Sequence, residues 1–358
     1  MALSKPLSRF LSLWRPALAL LIGTLSGMVA EAIGLPLPWM LGSMIGVTIA
    51  ALGGAPIKSP IGLRIVFLPV LGVMLGSGID ADVLAAMGRW TITFIFLIPF
   101  SIATAIASYW FYRGVGRYDK PTAFFSAMPG GLNEMLLMGA AAGGDEKRIA
   151  MAHATRILAV VMFGVLFFGI VMGVSSARST PSGGSLDSLS LQDWLILGGC
   201  ALLGVRLALL LRLPAAPILG PMLLSGAAHI SGLVTVAPPT LLVIVAQVVI
   251  GTIIGGRFVG ATLRSVGRDM ALGVGSSLVM IAVAVFFAWI VSSLSGTELS
   301  HTFLAYSPGG LTEMSLLALA MGQEVAYVSM MHVARITLVV FAAAPALRWL
   351  SRWRRASL

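Results

Sequence analysis

Charge is scarce in this sequence: 10% of its 358 residues are Asp, Glu, Lys or Arg, against 58% hydrophobic. A soluble domain carries roughly 25% charged residues, so an ordinary globular protein is excluded. Cysteine is nearly absent. Cys200 is the one thiol, which rules out an intramolecular disulfide framework and any thiolate metal cluster. Lying in an apolar run, it reads as a small buried hydrophobe. The four histidines and this cysteine form no spacing typical of a metal site, so neither metal nor cofactor is expected. No phosphate-binding glycine loop and no nucleophile elbow occurs, which argues against ATP-driven transport by this chain alone. Strand periodicity strong enough for a barrel is also missing.

The net charge is +10, but the basic residues are scattered between apolar segments. That is how membrane orientation is written in sequence, and no nucleic-acid partner is expected. At about 20 residues per span, ten helical spans take on the order of 200 residues, leaving short loops and no sizeable soluble domain. Lys5, Arg9 and Arg15 before an apolar run could mimic a secretory signal. However, Leu35-Pro36 and Leu41-Gly42 recur as Leu213-Pro214 and Leu219-Gly220. The first span thus lies beside repeated material and is expected to be retained.

What the sequence does hold is a duplication. Pro129-Gly130-Gly131-Leu132-Asn133-Glu134-Met135 returns 179 residues later as Pro308-Gly309-Gly310-Leu311-Thr312-Glu313-Met314. The same offset carries His153 onto His332 and Arg156 onto Arg335, and 15 of the 33 positions from Pro129 to Val161 are identical without a gap. Gly72 and Gly76 recur as Gly251 and Gly255, a small-xxx-small pattern that signals close helix packing.

Apolar runs place spans near 17–34, 37–53, 61–79, 91–112 and 149–174, and again near 191–211, 214–232, 238–256, 270–292 and 326–347. The expected organisation is a first membrane repeat over 1–174, a flexible Ser/Gly/Pro-rich linker over 175–190 and a second repeat over 191–358. If each Pro-Gly-Gly segment turns back rather than crossing, each repeat has five crossings and the two lie inverted. Nineteen of the 23 basic residues then fall on the inner side with both termini; Arg89 and Arg178 fall outside, and Arg156 and Arg335 within spans. A full crossing would move Lys147, Arg148, Arg257, Arg264 and Arg268 outward. The positive-inside rule therefore favours the all-α, inverted, five-plus-five reading, with one re-entrant broken hairpin per repeat.

Pro-Gly-Gly cannot continue a helix. A break at membrane depth must be satisfied by protein or by water in a cavity. The segments after the two breaks, Leu132 to Ala142 and Leu311 to Met321, are good helix-forming sequence, so each hairpin presents a helix N-terminus at its tip. Discontinuous helices at matching positions of two halves point to a transporter's binding site. Glu134 and Glu313 lie in the first turn of those helices: they complement the dipole, or they bind a coupling proton or cation. His153 with Arg156, and His332 with Arg335, share a helix face at i, i+3. Each arginine is expected either to pair with the glutamate of its repeat and lock the hairpin, or to hold an anion with the hairpin amides. The histidines are then candidates for a coupling proton.

The two Pro-Gly-Gly-Leu-x-Glu-Met motifs, each followed by His and Arg, resemble those of the bacterial AbrB-duplication membrane proteins, and the resemblance spans the whole chain. It implies an integral protein of the bacterial inner membrane. Family labels include ammonia monooxygenase and regulator of gene expression. A monooxygenase needs a cofactor for which no ligand cluster is present, and a transcription factor needs a soluble reading module for which no room exists.

The expected function is ion-coupled secondary transport, not catalysis, of a small anionic or zwitterionic organic solute, with proton or sodium as coupling ion. Substrate contacts are expected from Pro129, Gly130, Gly131, Asn133, Arg156, Pro308, Gly309, Gly310, Thr312 and Arg335. Ion coupling is expected from Glu134, His153, Glu313 and His332. The bilayer is the certain partner, a second copy of the chain an admissible one, and a membrane sensor acting on gene expression is the alternative.

Overall fold

The computed structural model describes residues 5–35, 37–79, 88, 90–168, 189–261 and 263–353. Pro36, Arg89, Arg178 and the expected linker up to residue 188 lie outside these. Fourteen α-helices and no strand occur among the described residues. The first half gives α1 (Lys5–Ala32), α2 (Pro38–Leu52), α3 (Arg64–Ser77), α4 (Trp90–Gly114), α5 (Lys120–Ala127), α6 (Leu132–Ala141) and α7 (Glu146–Leu166). The second gives α8 (Leu191–Leu210), α9 (Ala216–Ile230), α10 (Thr240–Gly255), α11 (Leu263–Ser295), α12 (Leu299–Tyr306), α13 (Leu311–Ala320) and α14 (Val325–Trp353).

Seven of these, α1, α4, α7, α8, α10, α11 and α14, are long and apolar enough to cross a membrane. This is a membrane-spanning protein. Of the ten expected spans, α2, α3 and α9 fall short, at 15, 14 and 15 residues. At 1.5 Å per residue they reach about 21–23 Å, below the roughly 30 Å hydrocarbon core. Their apolar residues serve helix contacts: α2 packs on α1 and α10, α9 on α3 and α8, and α3 also on α10.

The chain forms two compact units, and each draws on both halves of the sequence. Unit 1 comprises Met1–Asp80, Val165–Val266 and Leu319–Gly322, and unit 2 the remainder. In unit 1 the third helix of each half crosses the second helix of the other at backbone contact. A Cβ added to Gly72 or Gly76 would lie 2.5 and 2.4 Å from the carbonyls of Ile218 and Met222. On Gly251 and Gly255 it would lie 2.5 and 2.6 Å from those of Met40 and Met44. Glycine is required at these crossings. The turns into α2 and α9 also correspond: Leu37 (φ 48) and Ala215 (φ 49) both sit in the left-handed region just before a proline-started helix. A non-glycine residue there costs about 1–2 kcal/mol, so tertiary packing holds the same strained turn twice.

Unit 2 contains α4, the short helix pair α5–α6, α12 with nearly all of its partner α13, all of α14, and nearly all of α7 and α11. Asp119 caps α5, accepting from Thr122 N at 3.1 Å. Left-handed glycines at corresponding places, Gly143 (φ 79) and Gly322 (φ 65), follow α6 and α13. Both helix pairs pack on α14, whose inner face closes the core of this unit.

Candidate functional site

Each helix pair is broken for a stated chemical reason. In a continuous helix the carbonyl of Phe125 would accept from the N–H four residues on, which is Pro129 and carries none. Pro308 deprives Leu304 in the same way. The backbone then runs extended at Met128 (ψ 127) and Ser307 (ψ 132) before α6 and α13 begin. Water hydrates such freed carbonyls at a surface; inside a membrane, side chains must do it.

Those side chains come from α7 and α14. His153 Nε2 donates to Phe125 O at 2.9 Å and His332 Nε2 to Leu304 O at 3.0 Å, the two carbonyls that the prolines orphan. Arg156 donates through NH1 to Met128 O at 2.8 Å and through NH2 to Gly130 O at 3.2 Å. Arg335 repeats both bonds, through NH1 to Ser307 O and through NH2 to Gly309 O at 2.8 Å. Every donor and acceptor in one set is 179 residues from its counterpart. Both histidines and both arginines are buried.

The motif's remaining letters follow from the same geometry. A Cβ on Gly131 would lie 2.1 Å from Oε2 of Glu134, and one on Gly310 2.0 Å from Oε2 of Glu313. Each carboxylate therefore folds back over the second glycine, at the N-terminus of its own helix. The first glycine lies under the methionine thioether. A Cβ on Gly130 would meet Met135 Sδ at 3.3 Å, and on Gly309 Met314 Sδ at 2.9 Å. Pro, Gly, Gly, Glu and Met thus form one self-packed tip.

The arginines were expected either to pair with these glutamates or to serve an anion. They lock the hairpins, but through main-chain oxygens. The two tips also differ in exposure. Glu134 is exposed, whereas Glu313 and Thr312 are each only 7% exposed. The side chain of Asn133 lies outside the description. Pro129, Gly130, Pro308 and Gly309 are buried; Gly131 and Gly310 are half-buried.

The two tips belong to one core. The first touches α14, since a Cβ on Gly130 would lie 2.9 Å from Val339 Cγ1. The second touches α7: the rings of Phe163 and Phe303 are 6.0 Å apart, and Gly164 lies against Leu317. Among the described residues neither arginine's Nε has a hydrogen-bond acceptor, although both atoms are buried. No group of three or more His, Cys, Asp or Glu suited to a metal occurs among the described residues.

One polar feature escaped the sequence reading. Thr104, Ser108 and Tyr112 lie four residues apart on α4, and all three are buried. Ser108 Oγ meets Ser276 Oγ at 2.6 Å, and beyond the end of α4 Tyr118 donates to Asp269 Oδ1 at 2.7 Å. Burial and that carboxylate push the Tyr118 phenol above its ordinary pKa. The counterparts in α11 are Val283, Phe287 and Val291, so the hydroxyl row belongs to one half only. Its sequence signal was the i, i+4, i+8 spacing within an otherwise oily helix.

A family profile described as "Transition state regulatory protein AbrB" matches residues 39–351. The chain belongs to the AbrB family. A Bacillus subtilis (strain 168) relative named "Uncharacterized protein YhjN" is 27% identical over 342 residues, covering 89% of this chain and 88% of that protein. An Escherichia coli (strain K12) relative named "Putative regulator AbrB" is 24% identical over 323 residues, covering 90% and 92%. The AbrB-family match includes both hairpins and both His–Arg pairs.

Proposed function

We propose that this AbrB-family chain is a secondary transporter of a small anionic or zwitterionic organic solute in the bacterial inner membrane. The observation that carries the reading is the pair of equally built hairpin tips in one core, each locked by a buried arginine with a spare Nε donor. The substrate's anionic group lies between the two guanidiniums and the amides that open α6 and α13. Thr312, Asn133 and the Pro-Gly-Gly backbone complete the surroundings.

Coupling falls to Glu134 and Glu313 with a proton or sodium ion. The histidines are positioning residues instead: His332 donates from Nε2 and accepts from Arg335 NH2 at Nδ1, 2.9 Å, so a further proton would break a bond that holds the site. With the short α2, α3 and α9 counted as crossings, the two repeats lie inverted with both termini cytoplasmic, as the basic residues favour. An exposed Glu134 beside a buried Glu313 corresponds to one tip open and one closed, and exchanging these states gives alternating access. The name of the Escherichia coli relative suits a regulator; a transporter whose loss alters gene expression accommodates it.

The test has two stages. Single cysteines replace Lys147, Ser185 and Gly322 in a Cys200→Ala background and are labelled from each side. Inverted re-entrant hairpins require Lys147 to label from the cytoplasm and the other two from outside; the reverse pattern at Lys147 and Ser185 overturns the topology. Proteoliposome uptake of a carboxylate panel is the second stage. Transport of an identified solute that survives Glu134→Gln, Glu313→Gln, Arg156→Gln and Arg335→Gln would refute the site.

A further inference from the structure

A cavity of about 290 Å³ lies behind the first hairpin, between α4, α5 and α14. Its lining is almost wholly apolar, with Phe124 and Met128 from the hairpin, Ala105 from α4, and Val339, Ala342 and Ala346 from α14. Ser101 also faces it, but its hydroxyl already donates to Leu97 O at 2.7 Å. Water there would lack the two to four polar partners that hold a buried molecule.

The duplication explains the cavity. At the 179-residue offset, Ala342 and Ala346 correspond to Phe163 and Phe167. In the second hairpin's surroundings Phe163 packs its ring on Phe303, the counterpart of Phe124, at 6.0 Å. One half fills this place with a benzyl side chain, and the other leaves it open. The missing volume is therefore hydrocarbon in character, and an unfilled apolar cavity is costly.

The cavity's position identifies the filler. Ile102 and Ile106 at its rim are each 53% exposed. They lie within α4, a helix long and apolar enough to span the membrane. Such an exposed face borders the hydrocarbon of the bilayer, so the opening meets lipid tails. We infer that this cavity is a binding site for one acyl chain of a membrane phospholipid, seated against the back of the first hairpin. The chain takes the role that Phe163 performs for the second hairpin. It packs on Met128, whose carbonyl Arg156 holds, and beside Val339, which contacts Gly130. Lipid composition then bears on one hairpin and not on the other. The site does not depend on what the protein transports.

Photolabelling of the full chain in nanodiscs, with a phospholipid carrying a diazirine in its acyl chain, tests this by peptide mass spectrometry. Labels are expected to concentrate on 101–109 and 338–346, above the level at the equally lipid-facing α1 and α8. Ala342→Phe with Ala346→Phe restores the other half's solution and is expected to abolish that excess. Added phospholipid is expected to raise the melting temperature of the wild type in detergent, and the double variant should lose that rise. Should the double variant fail to fold, Ala105→Leu is the milder filler with the same expected loss. Labelling no greater there than on α1, or unchanged on filling, overturns the inference. Suppression of labelling by octanoate would assign the cavity to a free carboxylate instead, and equally overturns it.

Discussion

Arg335 donates through NH2 to Nδ1 of His332 at 2.9 Å, while the opposite ring nitrogen donates to the carbonyl that Pro308 orphans. The imidazole is thus neutral, with its proton on Nε2. It acts as a relay of hydrogen bonds between guanidinium and backbone. His332→Ala leaves Leu304 O buried without this donor and is expected to cost roughly 1–3 kcal/mol. His332→Gln, which keeps a donor, should recover part of that. Denaturation in a fixed detergent measures both.

The close approach of each carboxylate to its glycine predicts a coupling. Gly131→Ala would force Glu134 off the helix N-terminus, with an expected loss of roughly 1–3 kcal/mol from overlap. In a Glu134→Ala background the space is vacant, and the same change should cost less. A double-mutant cycle is expected to give about 1 kcal/mol of interaction. Simple additivity would mean that the carboxylate does not rest there.

Arginine is needed because two carbonyls on one hairpin require a forked donor. Arg156→Lys and Arg335→Lys keep the charge but can serve one oxygen well. Each charge-assisted bond is worth about 1.5–3 kcal/mol, so each lysine variant should lose on that order. Limited proteolysis is expected to cut first within the hairpin whose arginine was changed. Equal protection of wild type and variants would speak against the lock.

Exposure separates the two glutamates. A water-soluble carbodiimide with an amine nucleophile should modify Glu134 well before Glu313, read by peptide mass spectrometry. Under alternating access, a solute that is transported should narrow or reverse that order. A fixed preference under every ligand and gradient would leave the asymmetry as static packing.

How far the sequence was legible depends on whether each feature rests on local chemistry or on distant partners. The break at Pro129-Gly130-Gly131, the helix after it and the burial of His153 with Arg156 follow from backbone donors, glycine and the cost of polar groups in hydrocarbon. The histidine's acceptor was legible in principle, since Pro129 removes the N–H that Phe125 O needs; attention to carboxylates hid that. The shortness of α2 and α9 was not legible, because an apolar run reads alike against lipid or against another helix. Nor was the cavity: Ala342 is unremarkable until Phe163 is seen filling the corresponding place.

The crossings in unit 1 bear on how the chain is made. Gly72 of α3 rests on the carbonyl of Ile218, so a helix of the first half meets its partner only after 146 further residues are synthesised. At about 5–20 residues per second that is a delay of roughly 7–30 s. Throughout it, the glycine face of α3 and the Met40–Met44 face of α2 have only lipid or the insertion machinery beside them. The newborn first half is therefore an open assembly waiting on its sister, and α2 and α3 can close only once α9 and α10 have emerged.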